Sequence, residues 1–250
     1  LRRTARDPEE MKQVTSLKCL AMIPHIQVKA RKNQSRRRIS VLDERTPYGY
    51  RESMRSLRVR LGRAAKEEGC TVVLVTSTAP GEGKSVVAVN LAQSLAADGK
   101  EVLLIDGDLR NQSDGTLLGI KGRYDLKDVA ENEKGGAGLI GRVRGSGLHF
   151  LGSARKYKKT AAILTAEGVR AFIESARERM DYVILDSPAC EMFQDAGLLA
   201  EYADLILYVV QYDLVPQNRI REGLASLSGR RASFAGYVFN QCPETGGVYG

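Results

Sequence analysis

Residues 71–85 read TVVLVTSTAPGEGKS, and this stretch decides the fold class. Its first six residues form a β-branched apolar run, which is typical of a buried parallel strand. Gly81 and Gly83 allow a tight turn whose backbone N–H groups can surround phosphate oxygens. Lys84 and Ser85 then begin a predicted helix that runs to about Ala97. The order strand, glycine-rich loop and helix predicts a phosphate-binding loop, although Thr78 stands where the usual pattern has its first glycine.

Further apolar runs alternate with helical stretches along the chain. A helix is predicted over 165–179, and strands are predicted over 101–106, 148–151, 181–186, 204–210 and 235–239. Such alternation predicts an α/β fold, in which a parallel sheet carries helices on both faces. Before it we predict a helix from 8 to about 15, a strand over 19–24 and a helix over 48–66. We therefore divide the chain into a linker arm, 1–45, and one nucleotide-binding domain, 46–250.

The positive charge is concentrated in the arm. Of the net charge of +8, residues 1–45 hold 12 Lys and Arg against 5 acids, whereas the other 205 residues hold 26 against 25. The densest run, 29–38, suits anionic lipid or nucleic acid, and it equally suits a solvated linker. The apolar runs have the length of strands, and the four scattered cysteines predict neither a zinc site nor a disulfide framework. Reduced cysteines favour a cytoplasmic setting.

Three acids close predicted strands. Asp106 ends the strand over 101–106, and Asp108 follows it by two residues. Asp186 ends the strand over 181–186. The carboxyl ends of parallel strands meet at the edge where open α/β sheets bind their ligands. Beside a phosphate loop, such carboxylates can hold Mg²⁺ and accept a proton.

Together, PGEGKS (80–85), LLIDGDLR (103–110) and YVILDSP (182–188) resemble the deviant-Walker P-loop ATPases. These include the partitioning ATPases and the bacterial protein-tyrosine kinases of capsule and exopolysaccharide synthesis. Ala79 stands where the partitioning group has a signature lysine. ESMRSLR (52–58) is similar to the E-x-x-R-x-x-R motif of the kinases. The kinase branch is therefore favoured, with a partitioning-type ATPase and a non-catalytic nucleotide-binding scaffold as the alternatives.

The resemblance implies a P-loop NTPase fold, similar to that of the partitioning ATPases, with ATP and Mg²⁺ as cofactors. It assigns catalysis to Lys84, Asp108 and Asp106, of which Asp106 deprotonates the tyrosine hydroxyl. Mg²⁺ is assigned to Ser85, Asp108 and Asp186. The cation that replaces the signature lysine is Arg110 or an arginine of a neighbouring subunit. Nucleotide contacts are assigned to Pro80, Gly81, Glu82, Gly83, Lys84, Ser85, Val86 and Asn240.

The resemblance also implies partners. Glu52, Arg55 and Arg58 are expected to join subunits into a ring, and Tyr249 is the expected phosphate acceptor in the C-terminal tail. A transmembrane chain-length regulator is expected upstream of Leu1, and no nucleic acid is expected as a partner. The fragment itself is then soluble and works at the cytoplasmic face of the bacterial membrane. The family's R-R-P after its acid pair is absent, since Asn111 and Gln112 follow Arg110.

Overall fold

The structure, a computed structural model, describes residues 3–27, 38–132 and 135–244. Within these ranges, one sheet contains strands β1 (Cys19–Pro24), β2 (Thr71–Ser77), β3 (Val102–Asp106), β4 (Gly141–Arg142), β5 (Leu148–Leu151), β6 (Tyr182–Asp186), β7 (Leu205–Gln211) and β8 (Ser233–Cys242). Their order is β1-β8-β7-β2-β6-β3-β5-β4. Every neighbouring pair is parallel except β4 and β5.

The helices connect these strands. They are α1 (Pro8–Met11), α2 (Tyr48–Ala64), α3 (Lys84–Ala97), α4 (Asp114–Leu118), α5 (Leu126–Glu131), α6 (Ala161–Leu164), α7 (Glu167–Arg177), α8 (Asp195–Ala200) and α9 (Gln217–Leu227), and a 3₁₀ turn covers Gly136–Leu139. Over the described ranges, no helix combines the length and the apolar character that crossing a bilayer requires.

Both faces of the sheet are covered, as predicted for an α/β fold. Along β2 the buried side chains alternate, so that Val73 and Val75 pack in the same cluster as α2 and α3. Val72 and Leu74 point to the opposite cluster, which contains the apolar residues of α7 and α9. A strand buried on both faces needs the continuous apolar run that the sequence shows here. The prediction of a parallel sheet between two helical layers is thus confirmed.

The N-terminal arm contributes to this sheet and to a helix. β1 extends the sheet by pairing with β8, where Cys19 lies opposite Tyr237. After residues 28–37, the chain crosses α3, where the N–H of Val41 donates to Asn90 Oδ1 at 2.7 Å. The predicted first helix is shorter than expected, because it ends at Met11 and continues as turns. The boundary at 45/46 stays a prediction.

The strand order positions the ligand edge. β2 lies between β7 and β6, and β3 is the next strand beyond β6. In this register Asp106 is the direct partner of Asp186, and Val75 of β2 is also opposite Asp186. The loop that leaves β2 and the two strand-end acids therefore meet at one edge, as parallel α/β sheets require.

Candidate functional site

The loop between β2 and α3 is shaped by two glycines with left-handed backbone. The φ angles are +85° at Gly81 and +84° at Gly83. Gly83 precedes the first turn of α3, and no side chain among the described residues caps the N–H groups of that turn. Uncapped N–H groups and the helix dipole form a site for an anion. Lys84, Ser85 and Val86 are half-buried in this turn, whereas Pro80 is exposed.

The side chain of Glu82 connects the phosphate loop to the sheet. Its carboxylate accepts the N–H of Ala79 at 2.8 Å and the N–H of Gln211, at the end of β7, at 3.1 Å. The side chain is only 1% exposed. Burial raises the pKa of Glu82 from its ordinary value of 4.5 to about 7, although both N–H donors oppose this shift. The nucleotide contact predicted for Glu82 stays a prediction. Its carboxylate holds the phosphate loop against the sheet.

This shift predicts a pH dependence of stability. A carboxyl group whose pKa is raised in the folded state favours folding below its unfolded pKa, and this contribution is lost as the pH rises through the folded pKa. The free energy of unfolding of the nucleotide-free protein should therefore fall between pH 4.5 and 7, with Glu82 contributing up to about 3 kcal/mol. Urea unfolding across this range should give a flatter pH profile for Glu82→Gln. Parallel profiles for the two proteins would show that Glu82 does not titrate in this window.

Asn240, at the end of β8, holds the same loop. Its amide donates to the backbone carbonyl of Glu82 at 2.8 Å, and the side chain is 5% exposed. A β-carbon at Gly83 would overlap this amide nitrogen, whereas one at Gly81 would meet no atom within 4 Å. The predicted adenine contact of Asn240 stays a prediction, and its observed contact is with the phosphate loop.

The two glycines provide a matched pair of variants. Alanine at either position is strained by the left-handed backbone. Only alanine in place of Gly83 also displaces the Asn240 amide. We expect Gly83→Ala to destabilise the nucleotide-free protein by about 1–2 kcal/mol more than Gly81→Ala. Urea unfolding of both variants measures this difference. Equal losses would show that the Asn240 amide moves aside without cost.

Three buried carboxylates lie together at the ends of β3 and β6. Asp106, Asp114 and Asp186, here called the aspartate group, each place one carboxylate oxygen within 4.8 Å of the others. None is more than 1% exposed. Asp114 is the first residue of α4, which the loop after β3 returns to the sheet edge. The sequence prediction missed Asp114, because its only signal is an acid at the start of a five-residue helix.

The aspartate group lacks donors for most of its oxygens. Asp106 Oδ2 accepts the N–H groups of Ser113 and Asp114, at 2.9 and 3.0 Å. Among the described residues, the other five oxygens of the group are buried without a hydrogen-bond partner. Burial, and then the neighbouring negative charges, raise the pKa of Asp106 and of Asp114. Buried carboxylates without donors need a cation, and oxygen ligands of this kind suit Mg²⁺.

The positive end of this site is supplied by α3. Burial raises the pKa of Asp186, whereas the charge of Lys84 and the hydroxyl of Ser85 lower it. Both first-turn residues of α3 therefore interact with the carboxylate that ends β6. Asp108 is not in the aspartate group: it is 8% exposed and accepts the N–H of Asn111 at 3.1 Å. The acid that joins Asp106 and Asp186 is Asp114, and the predicted Mg²⁺ contact of Asp108 stays a prediction.

Arg110 is already engaged. Its guanidinium donates to Asp195 at 3.1 Å, to the carbonyl of Lys158 at 2.8 Å and to Thr160 at 2.9 Å. It also lies over the Phe193 ring, 3.8 Å from the ring centre. These contacts anchor the loop after β3 to α8. Both candidates for the extra cation, Arg110 and an arginine of a neighbouring subunit, stay predictions.

The predicted subunit contacts lie on α2, and two of the three are on its outer side. Arg55 is exposed and pairs with Glu52 at 3.5 Å. Arg58 is turned toward α3, where it pairs with Asp98 at 3.3 Å and donates to the carbonyl of Ser94 at 3.1 Å. Glu52 and Arg55 are thus accessible to a partner, whereas Arg58 also fixes α2 to α3. Tyr249 lies outside the described residues.

Comparison with known proteins extends these observations. The family described as the CobQ/CobB/MinD/ParA nucleotide binding domain matches residues 73–242. Tyrosine-protein kinase CpsD of Streptococcus pneumoniae serotype 4 is 30% identical over 183 residues, which cover 72% of this chain and 79% of that protein. EpsB of Ralstonia solanacearum, assigned as a tyrosine-protein kinase, is 28% identical over 239 residues, 94% of this chain. The chain spans 32% of the length of EpsB.

Solved structures share the fold. The kinase domain of Escherichia coli tyrosine kinase ETK has a TM-score of 0.82 at 20% identity, covering 97% of this chain and 96% of that one. MinD of Pyrococcus horikoshii, complexed with Mg-ADP, has a TM-score of 0.58 at 19% identity, covering 68% of this chain and 70% of that one. The predicted P-loop NTPase fold is confirmed. The chain belongs to the CobQ/CobB/MinD/ParA nucleotide-binding domain family, and its relatives CpsD and EpsB are named as bacterial tyrosine-protein kinases.

Proposed function

We propose that this chain transfers the γ-phosphoryl group of Mg-ATP to tyrosine hydroxyls, including tyrosines on other copies of itself. The observation that carries the proposal is the aspartate group, whose five unpartnered oxygens lie beside the phosphate loop and Lys84. A phosphate site next to a buried set of oxygen ligands is the arrangement that phosphoryl transfer needs. The kinase relatives support tyrosine as the acceptor.

Each part of the site has a role in this proposal. The first turn of α3 binds phosphate oxygens, and the ammonium of Lys84 offsets their charge. Ser85, Asp114 and Asp186 would hold Mg²⁺, and Oδ1 of Asp106 is left for the proton of the acceptor. Mg²⁺ held by these residues would supply positive charge that offsets the charge of the phosphates. Asp114 joins the predicted metal ligands Ser85 and Asp186, and the predicted metal role of Asp108 stays a prediction.

Asp106 is our proposed base. Its Oδ2 is held by two backbone N–H groups, which fixes the carboxylate and leaves Oδ1 for a proton. Burial and the neighbouring acids raise the pKa of Asp106 above the ordinary value of a carboxyl group. Because a tyrosine hydroxyl has a pKa near about 10, it needs a base positioned at the moment of transfer.

We further propose the setting of this activity. The kinase relatives include CpsD, and the matches also include the succinoglycan biosynthesis transport protein ExoP of Rhizobium meliloti. They support a role in the synthesis and export of capsule or exopolysaccharide, at the cytoplasmic face of the membrane and with a transmembrane regulator. Glu52, Arg55 and Arg58 are proposed subunit contacts in a ring, and Tyr249 is the proposed acceptor.

Incubation with Mg-ATP followed by phosphopeptide mass spectrometry tests the proposal. We expect phosphotyrosine on the wild-type chain and a strong reduction in Asp106→Asn. Glu68→Gln changes an exposed acid that precedes β2, outside the site, and should match the wild type. Hydrolysis of ATP without phosphotyrosine would favour the partitioning-type ATPase. Bound nucleotide with neither hydrolysis nor transfer would favour the scaffold.

A further inference from the structure

A groove lies beside the aspartate group, on the β5 side of the sheet. Its volume is about 310 Å³. Its walls are the segment 120–124 and the residues 138–142, which include β4, and its floor holds Phe150 and Gly152 at the end of β5. None of the residues to which we assign phosphate or metal binding lines this groove.

Gly152, at the inner end of the groove, lies next to Asp106 of the aspartate group. β5 pairs with β3, so that Leu151 lies opposite Ile105, and the next residue of each strand is Gly152 and Asp106. A β-carbon at Gly152 would lie 2.8 Å from Cβ of Asp106. Gly152 is therefore the wall between the groove and the proposed base.

The groove carries positive charge without counter-charge. Lys121, Arg123 and Arg142 are exposed on its walls. Within the part of the chain that the structure describes, none of their side chains has an ion pair or a hydrogen bond. The nearby acids Asp125 and Asp128 are both paired with Arg155. The surface of the groove is thus complementary to an acidic ligand.

A second basic segment borders the same edge. Lys156, Lys158 and Lys159 follow Gly152 within seven residues and are exposed. Lys156 donates to Asn111 at 3.3 Å, which places this segment along the loop that follows β3. Cations therefore stand on both sides of the approach to Asp106, and an acidic chain that crosses this approach can contact both sets.

The shape of the groove favours an extended chain. β4 is the last strand of the sheet, and both of its residues are exposed. Such an edge offers unpaired backbone groups to an added strand. Tyr124 and Ile120, 40% and 37% exposed, provide an apolar surface for an aromatic side chain in the groove.

We propose that this groove receives an extended peptide segment in which acidic residues flank the tyrosine to be phosphorylated. The acids contact Lys121, Arg123 and Arg142, the backbone runs along β4, and the tyrosine passes Gly152 toward Asp106. The proposal rests on the proposed tyrosine-kinase function and adds its substrate class. A strand edge and a groove that ends at the base suit a peptide better than the flat surface of a membrane.

Two synthetic peptides test the substrate class. They share one tyrosine and differ only in flanking glutamates or glutamines. In the wild-type chain, we expect the KM for the glutamate peptide to be about tenfold lower, and added salt should shrink the difference. The triple variant Lys121→Gln, Arg123→Gln, Arg142→Gln should raise this KM about tenfold, with the effect on KM rather than on kcat.

A matched control removes the same number of positive charges at the amino-terminal ends of the strands, away from the groove. Lys18→Gln, Lys100→Gln, Arg231→Gln changes exposed residues that precede β1, β3 and β8, and it should keep the wild-type preference. Fluorescence anisotropy of the labelled glutamate peptide without ATP gives a readout that is independent of catalysis. It should show weaker binding for the groove variant and unchanged binding for the control.

The outcomes separate the two proposals. Phosphorylation of both peptides with equal KM, or a groove variant that behaves like the wild type, overturns the groove and leaves the kinase proposal standing. Binding that is lost in the groove variant while no peptide is phosphorylated supports the groove and contradicts the kinase proposal. If the groove variant loses binding to phosphatidylglycerol vesicles and keeps peptide binding, the surface is a lipid site and the peptide proposal is wrong.

Discussion

Replacing Lys84 by methionine is expected to slow phosphoryl transfer by at least about a thousandfold. Methionine keeps the length of the side chain and removes the ammonium that offsets phosphate charge. Lys84 lies in the first turn of α3, and its charge acts on Asp186 across the site. The initial rate of tyrosine phosphorylation at saturating Mg-ATP measures the effect.

Lys100→Met is the matched control for this variant. Lys100 is exposed after α3, at the opposite edge of the sheet from the phosphate loop. Its replacement should leave the transfer rate within about twofold, as expected for surface substitutions. Phosphotyrosine that forms at the wild-type rate in purified Lys84→Met would remove Lys84 from the mechanism.

Asp114→Asn should change stability and activity in opposite directions. Both Asp114 oxygens are buried without a partner and face two other acids. An uncharged amide of the same shape relieves this repulsion, so we expect the metal-free protein to gain about 1–3 kcal/mol of stability. The variant also loses a metal ligand, so the Mg²⁺ concentration that supports half-maximal transfer should rise about a hundredfold.

Asp125→Asn provides the comparison, because Asp125 is equally buried but fully partnered. Its carboxylate accepts from Gln112, Ser153 and Tyr157 and pairs with Arg155. Its loss should destabilise the protein by about 1–3 kcal/mol. Urea unfolding in EDTA and in Mg²⁺ measures both variants. A metal-free Asp114→Asn protein that is less stable than the wild type would contradict the repulsion argued for the aspartate group.

The strands of the central sheet could be predicted because each of them is a run of several consecutive, mostly apolar residues. The predicted strand over 148–151 has the observed limits, and those over 71–76 and 181–186 differ from β2 and β6 by one residue at one end. In contrast, α4, α5, α6 and α8 contain four to six residues, which is too few for a helical period to be visible. Their positions depend on the loops that return them to the sheet.

The same limit applies to the site. Asp106 and Asp186 end apolar strands of one parallel sheet. Their positions at the same end of the sheet can therefore be predicted from the sequence. Asp114 joins them only because the loop after β3 folds back, with two backbone N–H groups on Asp106. Glu82 also depends on a distant contact, since its partner Gln211 is 129 residues further along the chain. Neither contact has a local sequence pattern that would reveal it.

A single-turnover reaction tests tyrosine phosphorylation most directly. The wild-type chain is held in excess over ATP labelled on its γ-phosphate, with Mg²⁺ present, and the label is divided into phosphotyrosine and inorganic phosphate. We predict that most of the label is recovered on tyrosine and that Lys84→Met yields none on the same time scale. Recovery of all of the label as inorganic phosphate would contradict the kinase function and identify a hydrolase.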